Sequence, residues 1–241
     1  MRRQRIDTLL VEKGLVPSRE KAQALIMAGD VLANDKMVDK PGYLVPESTT
    51  VRLVGGLPFV SRGGLKLDHA LAEFGLAVAG QVAADVGAST GGFTHCLLQR
   101  GARRVYAIDV GYGQLDYQLR VDPQVIVMER VNARYLERLA EPAHIVTLDV
   151  SFISLEKILP RAIDWVCPGG NIVALAKPQF EVGRGQVSRG GLVKDPLLHA
   201  DVLARLILWG IERGLHIKGL TPSPILGSEG NKEFFLWWQK P

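Results

Sequence analysis

Short apolar runs alternate along most of the chain with segments whose apolar residues recur at helical spacing. From residue 61 onward the apolar runs predict seven strands, at 82–85, 105–109, 125–128, 145–149, 171–176, 216–220 and 233–238. The helical patterns lie at 61–74, 93–100 and 202–211. Because strands that alternate with helices form parallel sheets, this part is predicted to be an α/β, Rossmann-like domain with a mostly parallel seven-stranded sheet. Ligands of such sheets bind at the carboxyl ends of the strands.

Residues 1–60 follow another pattern and are predicted to form a separate small α+β domain, with the larger domain at 61–241. The predicted elements are a helix that ends near Gly14, a helix at 19–27 between Ser18 and Gly29, a hairpin turn at 34–36, a strand at 49–54 and a linker at 55–58. Serine commonly caps the start of a helix, and glycine commonly ends one.

The composition is that of an ordinary globular protein, with 47% hydrophobic and 22% charged residues among 241. No apolar run reaches the roughly 18 residues of a membrane span, and no secretory signal follows the basic N-terminus. Cys96 and Cys167 are far apart, which fits a reducing compartment, and the five histidines are scattered. We therefore expect a cytoplasmic protein that contacts no membrane and holds no metal. Nothing in the sequence indicates the oligomeric state.

The net charge of +4 is concentrated at the N-terminus. Residues 1–66 contain 11 Lys and Arg against 7 Asp and Glu, an excess of four, whereas residues 67–241 contain 18 of each. A basic module attached to a neutral α/β domain is typical of an arm that holds a polyanion. A positively charged face without a partner is the alternative.

A glycine-rich loop joins the predicted strand at 82–85 to the predicted helix at 93–100, and it reads Asp-Val-Gly-Ala-Ser-Thr-Gly-Gly-Phe-Thr from Asp85 to Thr94. Such a loop lets backbone N–H groups approach a ligand closely. Its glycine spacing is neither that of dinucleotide-binding folds nor that of a P-loop. The D-x-G-x-x-x-G-G form resembles the first motif of S-adenosylmethionine-dependent methyltransferases; an ordinary βα turn is the alternative. Asp109 ends the next strand, where a carboxylate can accept hydrogen bonds from ribose hydroxyls.

The N-terminal module resembles the small S-four RNA-binding module, first described in a ribosomal small-subunit protein. The matching residues are Arg5-Ile6-Asp7-x-x-Leu10 and Ser18-Arg19-x-x-Ala22-x-x-Leu25-Ile26-x-x-Gly29-x-Val31-x-x-Asn34. The resemblance implies that Arg5, Arg19, Lys21 and Lys36 face the RNA. Residues of this type contact phosphates and recognise RNA shape more than sequence.

Four charged residues from separate elements match the motif positions of a second family. They are Lys66 in Gly-Gly-Leu-Lys, Asp149 in Leu-Asp-Val-Ser, Lys177 in Ala-Lys-Pro-Gln-Phe-Glu and Glu233 in Asn-Lys-Glu-Phe. This set resembles the Lys-Asp-Lys-Glu tetrad of the FtsJ-like ribose 2′-O-methyltransferases. With the N-terminal module, the whole chain is similar to the TlyA, or haemolysin A, family of rRNA methyltransferases, which methylate cytidine 2′-hydroxyls. The resemblance implies S-adenosylmethionine as cofactor and ribosomal RNA or ribosomal subunits as partner.

The resemblance also implies which residues hold the cofactor. The implied set is Asp85, Gly87, Ala88, Ser89, Gly91, Phe93, Asp109, Asn132 and Asp149. The glycine loop would hold the methionine end, Asp109 the ribose, Asn132 the adenine, and Asp149 the sulfonium side. Three positions depart from the usual FtsJ-like pattern: Thr90 replaces proline, Phe93 replaces tryptophan, and Asn132 replaces aspartate. We expect these changes to retune cofactor binding rather than abolish it.

The chemistry implied for Lys177 is removal of the proton of the ribose hydroxyl, or orientation of that hydroxyl. A free lysine has a pKa of about 10.4, so a neutral Lys177 requires a pKa lowered by roughly 2–3 units. Burial and the neighbouring Lys66 would lower it, whereas Asp149 would raise it. Asp149 is therefore expected to orient Lys177 and help hold the methyl donor, and Glu233 to orient Lys66 or the ribose.

Two further segments have candidate roles. The glycine-rich stretch 180–199 contains Arg184 and Arg189 and is predicted to be a mobile loop that closes over the RNA backbone; a surface connection is the alternative. The aromatic run 234–238 is expected to lie in the core rather than to stack on bases.

Three other functions compete with an rRNA methyltransferase. The first is a non-catalytic RNA-binding or ribosome-assembly factor, which the complete tetrad argues against. The second is a membrane-lytic haemolysin, which only the name of the family suggests. The third is methylation of a small molecule or a base, which the N-terminal module and the lack of a candidate cysteine nucleophile make less favoured.

Overall fold

The computed structural model describes residues 3–53, 58–188, 190–227 and 230–241, except for the side chains of Ala28 and Arg184. The chain divides into two compact units, Met1–Gly63 and Gly64–Pro241.

The first unit is a small α+β structure. Its elements are β1 (Arg3–Arg5), α1 (Ile6–Glu12), α2 (Arg19–Ala28), β2 (Val31–Ala33), β3 (Lys36–Met37), β4 (Leu44–Pro46) and β5 (Val51–Leu53). Strand β1 pairs antiparallel with β4, and β2 pairs antiparallel with both β3 and β5. The two helices pack on fully buried side chains, of which Ile6, Leu10 and Ile26 are the largest.

The predicted signals at the ends of α2 are confirmed. The side chain of Ser18 accepts a hydrogen bond from the backbone N–H of Lys21, and Gly29 has the left-handed conformation at φ 85° that ends a helix. The hairpin turn consists of two residues, since Asn34 and Asp35 have φ of 48° and 60°. Lys36, predicted in the turn, belongs to β3. The strand predicted at 49–54 is shorter, and its last predicted residue lies outside the described part, as does most of the predicted linker.

The second unit is an α/β structure. Its helices are α3 (Arg62–Glu73), which starts at the end of the first unit, α4 (Gly92–Gln99), α5 (Tyr117–Arg120), α6 (Leu159–Trp165), α7 (Pro178–Glu181) and α8 (Pro196–Ile211). Its strands are β6 (Val82–Val86), β7 (Arg104–Ile108), β8 (Val125–Met128), β9 (Ala143–Leu148), β10 (Val166–Ala176), β11 (His216–Pro222) and β12 (Phe234–Gln239). Single turns of 3-10 helix lie at Ala133–Tyr135, Leu155–Lys157 and Arg184–Gln186.

These strands form one sheet in the order β11-β12-β10-β9-β6-β7-β8. The pairs from β10 to β8 are parallel, and β12 runs antiparallel to both of its neighbours in this sheet, β10 and β11. The prediction of a mostly parallel, seven-stranded, Rossmann-like sheet is confirmed. The chain runs outward from β6 to β8, returns to β9 on the other side of β6, and so reverses direction between β6 and β9.

The centre of the sheet is buried on both faces, as expected for parallel strands, whereas the edge strands β11 and β8 are more exposed. Every residue of β6 is buried. The aromatic run in β12 is core, as predicted, since Phe235, Leu236 and Trp238 are fully buried.

Two elements begin earlier than the sequence pattern indicated. Helix α8 starts at Pro196 rather than 202, because the side chain of Asp195 accepts a hydrogen bond from the N–H of Leu197 and proline suits the first helical turn. The loop predicted at 180–199 is therefore shorter, and it contains α7 and a 3-10 turn. Strand β10 starts at Val166, ahead of an irregularity between Val166 and Asn171 that interrupted its pattern.

Helix α8 packs against Trp238 through Gly210, where an added Cβ would lie 2.5 Å from the indole nitrogen. We expect Gly210→Ala to destabilise the protein by about 1–3 kcal/mol through overpacking. Intrinsic helix propensity alone predicts the opposite sign, a gain of about 1 kcal/mol. Urea unfolding checks the sign. Leu208→Ala, at a position of the same helix that is 58% exposed, is the control and should change stability by less than about 0.5 kcal/mol. A more stable Gly210→Ala protein would contradict the packing argument.

Candidate active site

The glycine loop after β6 lies against the residue that follows β9. Gly87 has φ 84°, and a Cβ built on it would overlap the carbonyl oxygen of Asp149. The loop is held from the other side, where the N–H groups of Gly87 and Ala88 donate to the carbonyl of Ile108 at 2.8 and 3.2 Å. Glycine is therefore required here both for its backbone conformation and for the close approach of two chain segments.

Asp109 joins the glycine loop to the loop after β7. Its Oδ2 accepts a hydrogen bond from the N–H of Ser89 at 2.8 Å, and its Oδ1 accepts one from the N–H of Gly111 at 2.6 Å. A carboxylate offers about four acceptor sites, so this side chain retains capacity to accept from a ligand.

A cleft of about 550 Å³ opens at the carboxyl ends of β6, β7 and β9. The predicted residues that line it are Gly87, Ser89, Asp109, Asn132 and Asp149. The side-chain oxygen of Asn132 accepts from the N–H of Arg134 at 3.1 Å. Ala88 lines a smaller neighbouring cavity together with Ser89 and Asp109.

Three other residues of the predicted cofactor set belong to the same stretch but do not line either cavity. Phe93 is 3% exposed and its ring stacks on Phe235, with centroids 6.0 Å apart. Asp85 is fully buried and accepts hydrogen bonds from Thr94 Oγ1 at 2.7 Å and Thr147 Oγ1 at 3.3 Å. Protein covers the side chains of Asp85 and Phe93, which do not line the cleft, and their assignment to the cofactor site stays a prediction.

Gly91, the third of these residues, caps α4 with φ 96°. It faces Leu115 and Leu119. This position supports the loop from the side of α5.

Burial has a large effect on Asp85. Loss of solvent, partly opposed by the hydrogen bonds from Thr94 and Thr147, raises the pKa of this carboxyl to about 7. The nearby charge of Asp149 acts in the same direction as burial.

The four residues of the predicted tetrad form two ion pairs. Lys177 Nζ lies 2.5 Å from Asp149 Oδ1, and Lys66 Nζ lies 2.6 Å from Glu233 Oε2. The four side chains come from α3, the ends of β9 and β10, and the start of β12. All are largely buried, with side-chain exposures between 2% and 22%.

The two ion pairs interact with each other electrostatically. Burial favours the neutral amine of Lys177, but the negative charges of Asp149 and Glu233 outweigh this effect and raise its pKa. Burial likewise favours a protonated Asp149, but Lys177 and Lys66 outweigh it and lower its pKa. The lowered pKa expected for Lys177 is therefore not what this state shows: Lys177 is an ammonium because two carboxylates surround it.

Sequence reasoning missed several residues that support this cluster. Ser151 Oγ lies 3.0 Å from Lys177 Nζ and accepts its hydrogen bond. Gly227 lies against the carboxylate of Glu233, where a Cβ would overlap Oε1. Phe152, at φ 62°, is 90% exposed beside the cleft. The first of these could have been found, since Ser151 belongs to the Leu-Asp-Val-Ser motif; the other two depend on backbone geometry.

Glu181 connects the segments that carry Asp149 and Lys177. Its carboxylate, 1% exposed, accepts hydrogen bonds from Ser154 Oγ at 2.8 Å and the N–H of Leu155 at 2.7 Å. Arg205 of α8 donates to it at 3.1 Å. The chain after β9 is thus fastened to the helix that follows Lys177.

The residues predicted to face RNA lie in the first unit or in the loop before α8. Arg5 and Arg19 are 44% and 51% exposed, and both form ion pairs with Asp7. Lys21 and Lys36 are exposed. The side chain of Arg184 and the whole of Arg189 lie outside the described residues.

A family model described as FtsJ-like methyltransferase matches residues 59–240. This chain belongs to that family. An S4 domain model matches residues 4–51. The chain is therefore a methyltransferase that carries an S4 domain.

Full-length relatives share both parts. The chain is 47% identical to the 16S/23S rRNA (cytidine-2′-O)-methyltransferase TlyA of Mycobacterium tuberculosis over 240 residues, 98% of this chain and 90% of that protein. It is 40% identical to Hemolysin A of Brachyspira hyodysenteriae, over 95% of this chain and 97% of that protein. A solved structure from Streptococcus thermophilus that carries a hemolysin name has a TM-score of 0.78 and 44% identity, covering 100% of this chain and 89% of the other.

More distant solved methyltransferases share the fold alone. They are 13–15% identical to this chain, with TM-scores of 0.51 to 0.56. One of them, a magnesium protoporphyrin IX methyltransferase from Synechocystis, contains S-adenosylhomocysteine.

Within the residues that the structure describes, no helix is long and apolar enough to cross a membrane. No group of three or more His, Cys, Asp or Glu side chains in the same ranges could hold a metal ion.

The buried Asp85 predicts a pH dependence of stability. A carboxyl whose folded pKa is about 7 binds its proton more tightly in the folded state, so its ionisation lowers the free energy of unfolding as pH rises from about 4 to 7. Asp85→Asn mimics the protonated form. We expect the stability of this variant relative to wild type to rise between pH 5 and 8, by at most about 3 kcal/mol. Urea unfolding at both pH values checks this, and a constant difference would contradict it.

Proposed function

We propose that this chain transfers a methyl group from S-adenosylmethionine to the 2′-hydroxyl of a cytidine ribose in ribosomal RNA. The observation that carries the proposal is the pair of coupled ion pairs, Lys177 with Asp149 and Lys66 with Glu233, beside a cleft that Asp149 also lines. The name of the M. tuberculosis relative gives this reaction with both rRNAs, and that of a 34% identical Campylobacter jejuni relative gives 23S rRNA.

The cleft suits the proposed cofactor in size and chemistry. Its volume of about 550 Å³ falls within the range usual for small-molecule sites. The carboxylate of Asp109 can accept from ribose hydroxyls, and the amide NH2 of Asn132 can donate to an adenine edge. Gly87 leaves the space beside Asp149 that a side chain would fill. Asp149 would face the positive charge of the methyl donor.

The chemistry divides between the cofactor and the tetrad. The bound cofactor would supply an electrophilic methyl group, so the protein's main tasks are to align the ribose oxygen and to accept its proton. We assign both tasks to Lys177, with Ser151 and Asp149 fixing its position. Because Lys177 is an ammonium in this state, it first serves as a hydrogen-bond donor to the ribose oxygen. It becomes a base only after its own proton passes to solvent, which requires a weaker ion pair with Asp149, and the neutral amine then accepts the proton of the ribose hydroxyl. Glu233 holds Lys66 beside this pair.

The two units would have different roles, RNA binding and methyl transfer. In this proposal residues 1–60 hold ribosomal RNA through Arg5, Arg19, Lys21 and Lys36, and residues 61–241 carry out the transfer, with Arg184 and Arg189 contacting the RNA backbone. Ribosomal subunits or their RNA are the partner, which places the protein in the cytoplasm.

The tetrad provides the test that separates an enzyme from a non-catalytic RNA-binding factor. We expect Lys177→Ala to lose methyl transfer to ribosomal subunits or naked rRNA by about 10²–10⁴-fold, the range usual for loss of a general acid or base. Transfer of labelled methyl to a nuclease-resistant 2′-O position is the measurement. Lys218→Ala, which removes an exposed lysine of β11, is the matched control and should retain activity.

Four outcomes would count against the proposal. Equal transfer by wild type and Lys177→Ala would remove Lys177 from the chemistry. Label on a base instead of the ribose would show that the protein methylates a base and not the 2′-hydroxyl. Absence of both transfer and S-adenosylmethionine binding in the wild-type protein would leave the RNA-binding factor. Release of contents from liposomes by the protein would instead favour the haemolysin function.

The raised pKa of Lys177 predicts the pH dependence of the transfer step. If a neutral Lys177 is required, the neutral fraction of this side chain increases tenfold for each unit by which the pH rises, as long as the pH stays below its pKa. We expect the single-turnover rate to rise from pH 6.5 to 9 without a plateau. A plateau beginning near pH 7.5 would show that the bound state has a lowered pKa, and a flat profile would exclude Lys177 as the base.

A further inference from the structure

Asp7 is the most heavily hydrogen-bonded side chain of the first unit. It lies in the first turn of α1 and is fully buried. Its Oδ1 accepts from Arg5 Nε at 3.0 Å and from the N–H of Thr8 at 2.9 Å. Its Oδ2 accepts from Arg5 Nη2 at 2.8 Å, Arg19 Nε at 3.0 Å and Gln23 Nε2 at 2.9 Å. Thr8 Oγ1 donates a sixth, longer bond to Oδ1 at 3.4 Å. Six donors exceed the roughly four acceptor sites of a carboxylate, so Asp7 is saturated.

Most N–H donors of the two arginines are not used by Asp7 and can bind a ligand. A guanidinium has five N–H donors, and Asp7 uses two from Arg5 and one from Arg19. The remaining N–H groups have no acceptor among the residues that the structure describes. Both side chains are about half exposed. Since Arg5 and Arg19 bond to the same oxygen of Asp7, their guanidinium groups are neighbours that face solvent together.

Asp7 makes this arrangement possible electrostatically. Two adjacent guanidinium groups repel each other, and a carboxylate between them offsets the repulsion. The hydrogen bond from Arg5, partly opposed by burial and assisted by Gln23 and Arg19, strongly lowers the pKa of Asp7, so it stays ionised. The three side chains then carry a net charge of +1, which one phosphodiester group would neutralise.

We propose that Arg5 and Arg19 form a single binding site for one RNA phosphodiester, and that Asp7, although acidic, is the positioning residue that assembles it. This inference rests on the proposed RNA-binding role of the first unit. It differs from the expectation that each arginine contacts a phosphate of its own. Guanidinium groups that are held in place lose less conformational freedom when they bind a phosphate.

The sign of one substitution separates this inference from simple electrostatics. Asp7→Asn removes a negative charge, so an unstructured positive surface would bind RNA more tightly. We expect the full chain with Asp7→Asn to bind naked 16S and 23S rRNA about 5- to 20-fold more weakly at 0.15 M salt. Asp35→Asn is the matched control, because Asp35 forms an exposed ion pair with Arg52 in the same unit. It removes the same charge and should leave affinity unchanged or raise it.

A charge-conserving pair of variants covers the case in which Asp7→Asn fails to fold. Arg19→Lys keeps the charge but removes the planar fork, and we expect about 3- to 10-fold weaker binding. Arg52→Lys should bind like wild type. Circular dichroism of each variant at the assay temperature confirms that folded protein is compared.

The salt dependence of binding measures how many RNA phosphates the protein neutralises. Each neutralised phosphate contributes roughly 0.7–0.9 to the slope of log affinity against log salt concentration. We expect the double variant Arg5→Ala/Arg19→Ala to lower this slope by about one, and Asp7→Asn to have no further effect in that background. A purely structural role for Asp7 would not produce this coupling.

The outcomes distinguish a failure of the shared phosphate site from a failure of RNA binding by the first unit. A slope change of about two, or equal binding by wild type, Arg19→Lys and Asp7→Asn, would overturn the shared site while leaving RNA binding intact. Failure of the wild-type chain to bind either rRNA would overturn the RNA-binding role itself.

Discussion

The buried ion pair between Lys177 and Asp149 is the interaction on which the candidate site depends. Either charge alone in this position would be strongly destabilising, because both groups lose most of their water. The second pair, Lys66 with Glu233, adds compensating charge from two other elements. The surrounding structure keeps this arrangement fixed: Ser151 bonds to Lys177, Glu181 fastens the two segments together, and Gly227 leaves room for Glu233.

The strand order explains why the cleft and the tetrad share one edge of the sheet. The chain leaves β6 toward β7 and returns to β9 on the opposite side, so the loops that follow β6 and β9 diverge. Crevices for ligands form at such reversals in parallel sheets. Here the two loops touch at their base, through Gly87 and the carbonyl of Asp149, and separate above it. Strand β10, next to β9, brings Lys177 to the same edge.

The two units organise cations in a similar way but with different residue types. In the first unit the buried Asp7 gathers two arginines, and in the second Asp149 lies between two lysines. Arginine stays protonated under all physiological conditions, which suits a site that only binds phosphate. Lysine can lose its proton when its surroundings change, which suits a site that handles the proton of a ribose hydroxyl. The choice of cation in each unit therefore matches the task proposed for it.

Local sequence determined the approximate positions of the strands of the sheet and the ends of α2, because hydrophobic periodicity and capping residues act over a few neighbouring positions. The candidate tetrad followed from short motifs that resemble those of the FtsJ-like family. The limits of α8 and β10 were misjudged where a capping aspartate and a strand irregularity replaced the periodic signal. Only the tertiary structure decided that protein covers the side chains of Asp85 and Phe93, that Asp7 binds both Arg5 and Arg19, and that the pKa of Lys177 is raised instead of lowered. Each of these depends on burial and on distances between residues far apart in the chain. Desolvation lowers the pKa of Lys177 and nearby carboxylates raise it, so the direction of the shift cannot be predicted before those distances are known.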